Sequence, residues 1–417
     1  MNTPIKHIAF VVKYFPTVSE TFIVNQINGV IAAGYKVKLY AYNKVEATVI
    51  HESIKRYGLI DEVHYFKKPP VSKTKRLYVF LKWTFANLFK IHWSAFFKSI
   101  NVFKYGKEAY TLKLFYEAQW FIKPHGIDII HAHFGMNGER IANLKRIGVL
   151  PTRVRLITTF HGYDLEPKNI EQYKSTYASL FKYADAFTVN TPYLEGLLQK
   201  VNSYTKPCYI LPVGLDTQYF KRTNPKLDTP YFDLVFCGKL IPLKGADLAI
   251  QVVSELHEGG YKQVRLHIIG DGYLREKLKR QAHEYRLDDC VTFYGTLSQE
   301  AIKARFEQAD VLVMPGRVDP ETERAETQGL VIQEAQAMEL PVVVTDAGGM
   351  KYGLLPNESG FVVKEKHIDG FIACIEHLIG NPELRIKLGK KGRDFVNQHY
   401  TNEVLLKMLL KIYLTTM

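Results

Sequence analysis

Residues 325–349 read AETQGLVIQEAQAMELPVVVTDAGG, and the fold prediction starts from this stretch. Apolar side chains recur at helical spacing after Gly329, and Pro341 then opens a short run rich in valine at 341–345. The order predicts a helix that begins near Gly329, a brief connection and a β-strand. A helix followed at once by such a strand is typical of a parallel βαβ unit.

The same alternation continues outward from this stretch. Short segments rich in Val, Ile, Phe and Tyr are separated by longer amphipathic patterns, which is the rhythm of parallel sheets covered by helices. The predicted strands lie at 7–12, 37–41, 128–131, 155–160, 186–189 and 208–212, and then at 233–237, 265–269, 291–294, 310–314, 341–345 and 360–363. We therefore predict an α/β protein with two doubly wound, Rossmann-like lobes.

Length and composition predict the boundary between the lobes. A chain of 417 residues is too long for one compact core. The stretch LPVGLDTQYFKRTNPKLDTPYFD, at 211–233, contains Gly214, three prolines and few apolar pairs after Phe220, which marks a linker between two strand-rich regions. The predicted organisation is a first domain at 1–213, a linker at 214–230, a second domain at 231–395 and a C-terminal helix in 396–417 that packs back on the first domain.

Several whole-chain features predict a cytoplasmic protein. The first apolar run, IKHIAFVVKYFP, is interrupted by Lys13 and Pro16, so it predicts a strand and not a secretory signal. No stretch reaches the roughly 18 consecutive apolar residues that cross a bilayer. The four cysteines are scattered without metal-binding spacing, as reduced cytosolic thiols would be. Any membrane association is therefore expected to be peripheral, on the inner face.

Most of the net charge of +13 falls in residues 66–123, which we call the basic aromatic segment. All three tryptophans lie there, interleaved with phenylalanines, and Glu108 and Glu117 are its only acidic residues. Helices of this composition can dock on an anionic membrane surface. The alternative is that the aromatic rings pack on the domain core while the lysines form a solvated face. No nucleic-acid-binding motif accompanies the charge, so we expect no nucleic-acid partner.

Lys239 and Lys244 follow the first strand of the second lobe, in CGKLIPLKGADLAI, just before a predicted helix. Two amines beside the N–H groups of a helix N-terminus can hold a diphosphate, although two solvated lysines are the alternative. The next strand ends in GDG. Gly270 and Gly272 there permit either a simple tight turn or the close approach of a nucleotide.

The strongest feature is a pair of glutamates eight positions apart, Glu326 and Glu334, on either side of the helix start. Glu334 falls about a turn and a half inside the helix and Glu326 stays on the loop, so both can face a cleft at different depths. One carboxylate can hold a ribose and the other a sugar ring, while the amides of Gly329 and Leu330 approach phosphate or sugar oxygens. Two solvated glutamates are the alternative.

In this order, the motifs GKL-x3-KG, GDG, VxFxG, E-x7-E-A and PVVVTxxGG resemble the family-four retaining glycosyltransferases, which have the GT-B fold of two Rossmann-like domains facing across a cleft. The resemblance spans about 205–365. It implies that Lys239 and Lys244 bind the diphosphate of a nucleotide sugar, that Glu334 contacts the ribose and that Glu326 contacts the donor sugar. A UDP- or GDP-linked donor is expected, with no cofactor or metal required.

Two positions depart from the pattern of the family. Lys239 stands where many members have Arg, which keeps the charge but loses the bidentate geometry, and Thr327 stands where many have Gly. In addition, Tyr352 stands three residues after Gly348-Gly349, where members commonly have Glu. The role of that loop stays open at this point.

The first lobe would then bind the acceptor. Near its start, YFPTVSETFIVNQI places Ser19 and Glu20 before a predicted helix. This stretch resembles the subset of the family that builds colanic acid, amylovoran-like exopolysaccharides, capsule and O-antigen chains. The resemblance implies an acceptor-side role for both residues, whereas a plain helix N-cap at Ser19 is the alternative.

Histidines mark the ends of two later strands in this lobe. His131 and His133 lie on one side of a strand end, but without further ligands at suitable spacing they predict no zinc site. His161 and Asp164 follow the next strand, in TTFHGYD. The resemblance places this histidine in the cleft near the reacting sugar, so we expect a catalytic role for His161 and an acceptor-side role for His133 and Asp164. A histidine bonded within a turn is the alternative.

The resemblance as a whole implies transfer of a hexose, with retained configuration, from a nucleoside diphosphate sugar to a growing, lipid-linked oligosaccharide. Lys239, Lys244 and backbone amides would stabilise the leaving diphosphate, with His161 and Glu326 completing the catalytic set. Three alternatives stay open: a glucan synthase-like transferase, a nucleotide-sugar epimerase of the same fold and a non-catalytic binding subunit.

Overall fold

Two parallel β-sheets organise the chain. The structure, a computed structural model, describes residues 5–16, 21–46, 54, 57–202 and 205–417. The first sheet contains β1 (His7–Phe15), β2 (Lys36–Lys44), β3 (Val63–Tyr65), β4 (Ile129–His133), β5 (Arg155–Phe160), β6 (Ala186–Val189) and β7 (Cys208–Ile210). The second sheet contains β8 (Phe232–Cys237), β9 (Val264–Ile269), β10 (Val291–Gly295), β11 (Val311–Met314), β12 (Val342–Thr345) and β13 (Gly360–Val363).

The strand order of each sheet reverses once. It is β3-β2-β1-β4-β5-β6-β7 in the first sheet and β10-β9-β8-β11-β12-β13 in the second, with parallel pairing on both sides of each reversal. In open parallel sheets, ligands bind beyond the carboxyl ends of the strands at this reversal. The prediction of two doubly wound lobes is confirmed. Strand β3 was not predicted, because three residues with a histidine between valine and tyrosine carry too little pattern.

Helices cover both sheets. The helices of the first lobe are α1 (Thr21–Ala32), α2 (Leu59–Glu62), α3 (Lys73–Ala86), α4 (Trp93–Ser99), α5 (Val102–Tyr110), α6 (Lys113–Ala118), α7 (Gly135–Arg146), α8 (Ile170–Thr176), α9 (Ala178–Tyr183) and α10 (Pro192–Val201). Those that follow are α11 (Ala246–Glu258), α12 (Arg275–Glu284), α13 (Gln299–Gln308), α14 (Leu330–Ala337), α15 (Ile368–Gly380), α16 (Pro382–His399) and α17 (Asn402–Thr416). In the described ranges, no helix combines the length and the apolar character that crossing a membrane requires.

Helix α17 follows the second lobe in sequence but packs on the first, against α1. Leu409 and Tyr413 are completely buried among the side chains that lie under β1 and α1. The Tyr413 hydroxyl is 2.8 Å from Nδ1 of His131, at the centre of the first sheet. The end of α17 is also fixed, because Arg155 donates to the carbonyl oxygen of Met417 at 2.9 Å. The core of the first lobe is therefore completed by a helix that comes after the second lobe.

The basic aromatic segment forms helices α3 to α6, between β3 and β4. Some of its aromatic side chains pack on the core, as one interpretation predicted, and others are exposed; docking on a membrane stays a prediction. Phe96 and Phe115 are buried and pack with Phe80 and Trp83 against the core. The aromatic side chains on the outside, each at least 40% exposed, are Tyr78, Phe85, Phe89, Trp93, Phe97, Phe103 and Tyr110.

Candidate active site

A cavity of about 220 Å³ lies between the two lobes. The loop after β5 forms one wall, and the other consists of the loop after β8 and the loop before α14. His161, Lys239, Lys244 and Glu326 all line it. The four residues that the sequence singled out as catalytic candidates therefore line one cavity. They come from three loops: His161 from the first lobe, Lys239 and Lys244 from one loop of the second lobe, and Glu326 from another.

Lys244 and Glu326 form an ion pair across this cavity. The pair joins the end of a short 3-10 turn, Pro242–Lys244, to the loop that precedes α14. Burial alone would raise the pKa of Glu326, but the Lys244 ammonium and the backbone N–H groups of Thr327 and Gln328 lower it below its ordinary value. Glu326 is therefore ionised at neutral pH, with its carboxylate paired to the Lys244 ammonium. Lys239 is exposed at the mouth of the same cavity.

The Gly348-Gly349 loop, whose role the sequence left open, packs against the backbone of Glu326 and Thr327. A Cβ atom on Gly349 would lie 1.9 Å from the carbonyl oxygen of Thr327, so only glycine permits this approach. The Gly349 N–H donates to the Glu326 carbonyl oxygen at 2.7 Å. Tyr352 lies on the 3-10 turn that follows, where its carbonyl oxygen accepts a hydrogen bond from the Tyr400 hydroxyl. The loop therefore fixes the backbone position of Glu326.

Glu334 faces a different and larger cavity, of about 950 Å³. It is the fifth residue of α14, which begins at Leu330 after Gly329, and Leu330 lines the same cavity. Burial raises the pKa of Glu334 to about 7. Its charge contributes to raising the pKa of Cys237 and of Tyr219 nearby. The two glutamates thus face the cleft at different places, as their spacing predicted.

His161 lies at the floor of the smaller cavity, among aromatic rings. It stacks on His133 at 5.3 Å and contacts Phe22 and Phe134, with ring centroids 5.0 and 4.7 Å away. Burial lowers the pKa of His161 to about 3, so the imidazole is neutral at physiological pH. A neutral imidazole can donate one hydrogen bond to a substrate oxygen, provided that its other nitrogen accepts.

His133 fixes the orientation of that ring. Its Nδ1 is 3.0 Å from Nε2 of His161. The His133 side chain is completely buried, and burial together with the neighbouring histidines lowers its pKa well below the ordinary value. His131 stacks on the opposite face of His133 at 4.6 Å and contacts the Thr159 and Tyr413 hydroxyls. Because His133 is completely buried, it cannot contact an acceptor directly. His133 could affect an acceptor only through its hydrogen bond to His161.

Asp164 holds the backbone around His161 and is itself only 7% exposed. Its carboxylate accepts from the N–H groups of His161 and Gly162 at 3.0 Å and from Gly135, at the start of α7, at 2.8 Å. Burial raises the pKa of Asp164, while these N–H donors act in the opposite direction. Its contacts make it a positioning residue, and it does not line the cavity. The acceptor-side role of Asp164 stays a prediction, and such a role would be indirect.

Thr327 joins the two lobes, a role that sequence reasoning missed. Its hydroxyl accepts from Asn190 at 3.2 Å and donates to the His161 carbonyl oxygen at 3.4 Å, and its own carbonyl oxygen accepts from Thr191 at 2.8 Å. The adjacent Gln328 exchanges two hydrogen bonds with the backbone of Val213. The sequence signal for this role was that Thr327 stands where many family members have glycine. The threonine hydroxyl bonds to Asn190 and His161 in the first lobe.

Arg324 is a second residue that sequence reasoning missed. It lines the smaller cavity, lies 3.4 Å from the Glu166 carboxylate and places its guanidinium 4.2 Å from the centre of the Tyr163 ring. Three cations therefore line the cavity, of which Lys244 is paired with Glu326 and Arg324 with Glu166. A single Arg in RAETQG carries no signal by itself, so only the fold reveals it.

Gly270 and Gly272 have a packing role in the structure. A Cβ atom on Gly270 would lie 1.9 Å from the Gly238 carbonyl oxygen, and one on Gly272 would lie 2.4 Å from that of Leu240. The GDG turn thus packs directly on the loop that carries Lys239. Neither glycine lines the two cavities described above. Their contribution to donor binding would be to place that loop.

Ser19 and Glu20 lie outside the described residues. The start of α1 nearby does border the larger cavity, through Thr21, Phe22 and Asn25. Within the described ranges, no group of three or more His, Cys, Asp and Glu side chains is arranged to hold a metal ion.

Two family models match the chain in succession. Residues 19–219 match the model described as Glycosyltransferase Family 4, and residues 218–395 match the model described as Glycosyl transferases group 1. Together the matches run from residue 19 to residue 395, and they meet in the predicted linker. Both lobes and the connection between them are therefore accounted for.

Relatives of full length agree with these matches. The chain is 27% identical over 409 residues to WcaL of Escherichia coli K12, named for colanic acid biosynthesis, covering 97% of this chain and 98% of WcaL. It is 26% identical over 413 residues to the amylovoran biosynthesis glycosyltransferase AmsK of Erwinia amylovora, with the same coverage. The HepE protein of Anabaena, solved with UDP, superposes with a TM-score of 0.73 at 14% identity, covering 99% of this chain and 100% of HepE. The chain thus belongs to the family-four glycosyltransferases and has their GT-B fold.

Proposed function

We propose that this chain transfers a hexose from a nucleoside diphosphate sugar to a growing, lipid-linked oligosaccharide during the synthesis of a surface polysaccharide. The observation that carries the proposal is the single cavity between the lobes in which His161, Lys239, Lys244 and Glu326 meet. WcaL and AmsK, similar over almost their whole length, are named for the synthesis of colanic acid and amylovoran. Their names support an exopolysaccharide product.

The donor would span the two cavities. Its ribose hydroxyls bind Glu334 in the larger cavity, and its diphosphate and sugar occupy the smaller one. Lys239 and Lys244 neutralise the diphosphate, helped by the N–H groups of Gly329 and Leu330 at the start of α14. The base is uracil or guanine; HepE, solved with UDP, favours uracil. No cofactor is required for this chemistry.

Transfer would proceed with retained configuration by a front-face route. A double displacement needs two carboxyl groups about 5 Å apart, but Glu326 is the only carboxylate among the described residues that line the smaller cavity. Glu326 therefore orients the donor sugar, and the leaving phosphate helps to deprotonate the acceptor. The C1–O bond to the phosphate breaks as the acceptor oxygen bonds to C1, and the two lysines stabilise the charge on the released diphosphate.

A lipid-linked acceptor would be met at a membrane. The exposed rings of Phe85, Phe89, Trp93, Phe97 and Phe103 lie in a segment rich in lysine, which supports docking on an anionic, inner membrane surface. Replacing Phe89 and Phe103, at 98% and 106% relative exposure, by serine should reduce flotation with acidic liposomes. Replacing Ile386 and Leu414, two exposed apolar residues elsewhere in the chain, by serine should not reduce flotation.

The function is tested by supplying labelled UDP- and GDP-sugars to the purified protein with a bacterial membrane lipid extract. Transfer of label to lipid, with release of the nucleoside diphosphate, is the expected result. An isomerised free nucleotide sugar in the absence of acceptor would instead identify an epimerase, and label on soluble glucan a glucan synthase. If no nucleotide sugar binds or reacts, the proposal is wrong.

A further inference from the structure

A cavity outside the candidate active site lies within the basic aromatic segment. Its volume is about 350 Å³, and three lysines and two tryptophans line it, with no acidic side chain among its residues. The lysines are Lys67, Lys82 and Lys123, and the tryptophans are Trp83 and Trp120. Such a lining combines positive charge with flat apolar surface.

The positive charges repel one another. Burial, followed by the charges of Lys90 and Lys67, lowers the pKa of Lys123. The Lys123 ammonium also lies 5.3 Å from the centre of the Trp83 ring, in a cation–π contact. An anion in the cavity would relieve this repulsion.

Gln119 provides independent support for a ligand. Its side chain lines the same cavity and is only 5% exposed. Its amide nitrogen finds no hydrogen-bond partner among the described residues. A buried amide donor without a partner is costly and uncommon in folded proteins, so an acceptor atom of a ligand is expected there.

The walls of the cavity are fixed by packing. Trp83 makes an edge-to-face contact with Phe115 at 5.1 Å, and Asn87 donates to the Trp83 carbonyl oxygen at 2.7 Å. Trp120 stacks on His64 at 4.7 Å and donates from its indole N–H to the Tyr65 carbonyl oxygen at 3.1 Å. The cavity is therefore preformed, which lowers the entropic cost of binding.

We propose that this cavity binds the phosphate headgroup of an anionic membrane phospholipid. The three ammonium groups and the Gln119 amide suit phosphate oxygens, and the two indoles suit the glycerol and the start of an acyl chain. The exposed Phe85 and Phe89 lie on the same stretch of chain as Lys82 and Trp83, and would enter the bilayer beside the bound headgroup. The lipid as the source of the phosphate rests on the membrane-facing surface of the proposed function.

The site is separate from the reacting sugar. Lys67 follows the carboxyl end of β3, whereas His161 follows β5, four strand positions away in the same sheet. At the usual spacing between strands this is roughly 19 Å. Both lie at the carboxyl edge of the sheet, so a lipid held here would place the acceptor side of the cleft near the membrane.

Tryptophan fluorescence tests the proposal directly. In a Trp93→Phe background, Trp83 and Trp120 are the only tryptophans left, so the fluorescence signal comes from the cavity. Short-chain phosphatidylglycerol, added as monomers, should give a saturable change, whereas short-chain phosphatidylcholine should bind at least tenfold more weakly. The variant Lys67→Gln/Lys82→Gln should weaken phosphatidylglycerol binding at least tenfold. Lys75→Gln/Lys107→Gln, which removes equal charge from exposed positions outside the cavity, should stay within twofold.

Three results would overturn the proposal: equal weakening by both double variants, equal binding of the two lipids, or equal affinity for glycerol 3-phosphate, which would make a soluble phosphate ester the ligand. Gln119→Leu should weaken binding several-fold without lowering the thermal midpoint, because the amide donor that it removes has no partner among the described residues. Full affinity in that variant would also contradict the proposal. Since the measurement is lipid binding, a failure to transfer sugar leaves its outcome unaffected.

Discussion

At the scale of single residues, Glu326 and Glu334 differ because their surroundings differ. Glu326 is paired with Lys244 and receives backbone N–H groups, so it stays ionised. Burial is the cause of the raised pKa of Glu334. One carboxylate is therefore ready to bind a hydroxyl at any physiological pH, and the other is only half ionised near neutrality.

Donor affinity should consequently depend on pH through Glu334. Its folded pKa of about 7 lies above the ordinary value for glutamate, so raising the pH from 6 to 8 converts it from mostly neutral to mostly ionised. If ribose hydroxyls bind the carboxylate, the dissociation constant of the nucleotide sugar should fall up to about tenfold over this interval. Calorimetry should also detect proton release on binding. Glu334→Gln should remove the pH dependence; a dependence retained in that variant would exclude Glu334.

Glu326→Gln should lower turnover more than donor affinity. The variant is isosteric but frees Lys244 and loses the carboxylate that orients the sugar. Misplacement of this kind costs roughly 100-fold in kcat. Steady-state kinetics and donor binding on the same preparation check this, with Glu284→Gln, an exposed residue at the end of α12 that lines neither cavity, as a control. Wild-type kcat in the Glu326 variant would remove it from the catalytic set.

The family resemblance implied that His161 lies in the cleft near the candidate donor residues of the second lobe. Lys239, Lys244, Glu326 and His161 line one cavity as the motifs implied. The sequence could not show that His133 lies behind His161, because burial depends on the helix that covers the sheet. Nor could it show that Thr327 reaches the other lobe, since a contact between lobes leaves no periodic pattern.

At the scale of elements, strands were predicted well because each is a short apolar run between helical patterns. The edge strand β3 was not predicted, because its three residues are only partly buried and carry little apolar pattern. The bounds of α3 to α6 were not predicted either, since lysines and aromatic residues alternate in this segment without one clear helical period. Only packing separates the inward rings of this segment from the outward ones.

Helix α17 should stabilise the first lobe through one buried hydroxyl. Tyr413→Phe leaves Nδ1 of His131 without its partner inside the core, which costs about 1–3 kcal/mol. The thermal midpoint should fall by several degrees, as measured by circular dichroism. Leu414→Ala, one residue later and 59% exposed, should change it little. Equal midpoints for wild type and Tyr413→Phe would mean that water or another group replaces the hydroxyl.

At the scale of the whole molecule, the loop before α14 is both the donor-side wall and the bridge between lobes. Arg324, Thr327 and Gln328 all contact the first lobe, and Glu326 stands among them. Opening of the cleft therefore displaces the same backbone that positions the candidate sugar ligand. We therefore expect donor binding and lobe closure to be coupled.

Thr327→Ala should loosen the closed arrangement. It removes the hydroxyl bonds to Asn190 and His161, each worth about 0.5–1.5 kcal/mol. Small-angle X-ray scattering without donor should give a larger radius of gyration than for the wild type, and saturating nucleotide should restore it. Thr292→Ala, exposed on β10, is the matched control. An unchanged radius would mean that the remaining contacts suffice to hold the lobes together.

Helix α17 also has a consequence for how the protein is made. The ribosome completes β1 to β7 and then the entire second sheet before α17 appears, although Leu409 and Tyr413 belong under β1. At about 5–20 residues per second, the first lobe waits on the order of 10–40 s with that face of its sheet uncovered. During synthesis the exposed face is therefore open to chaperones, and the first lobe acquires its final structure only after the second has left the ribosome.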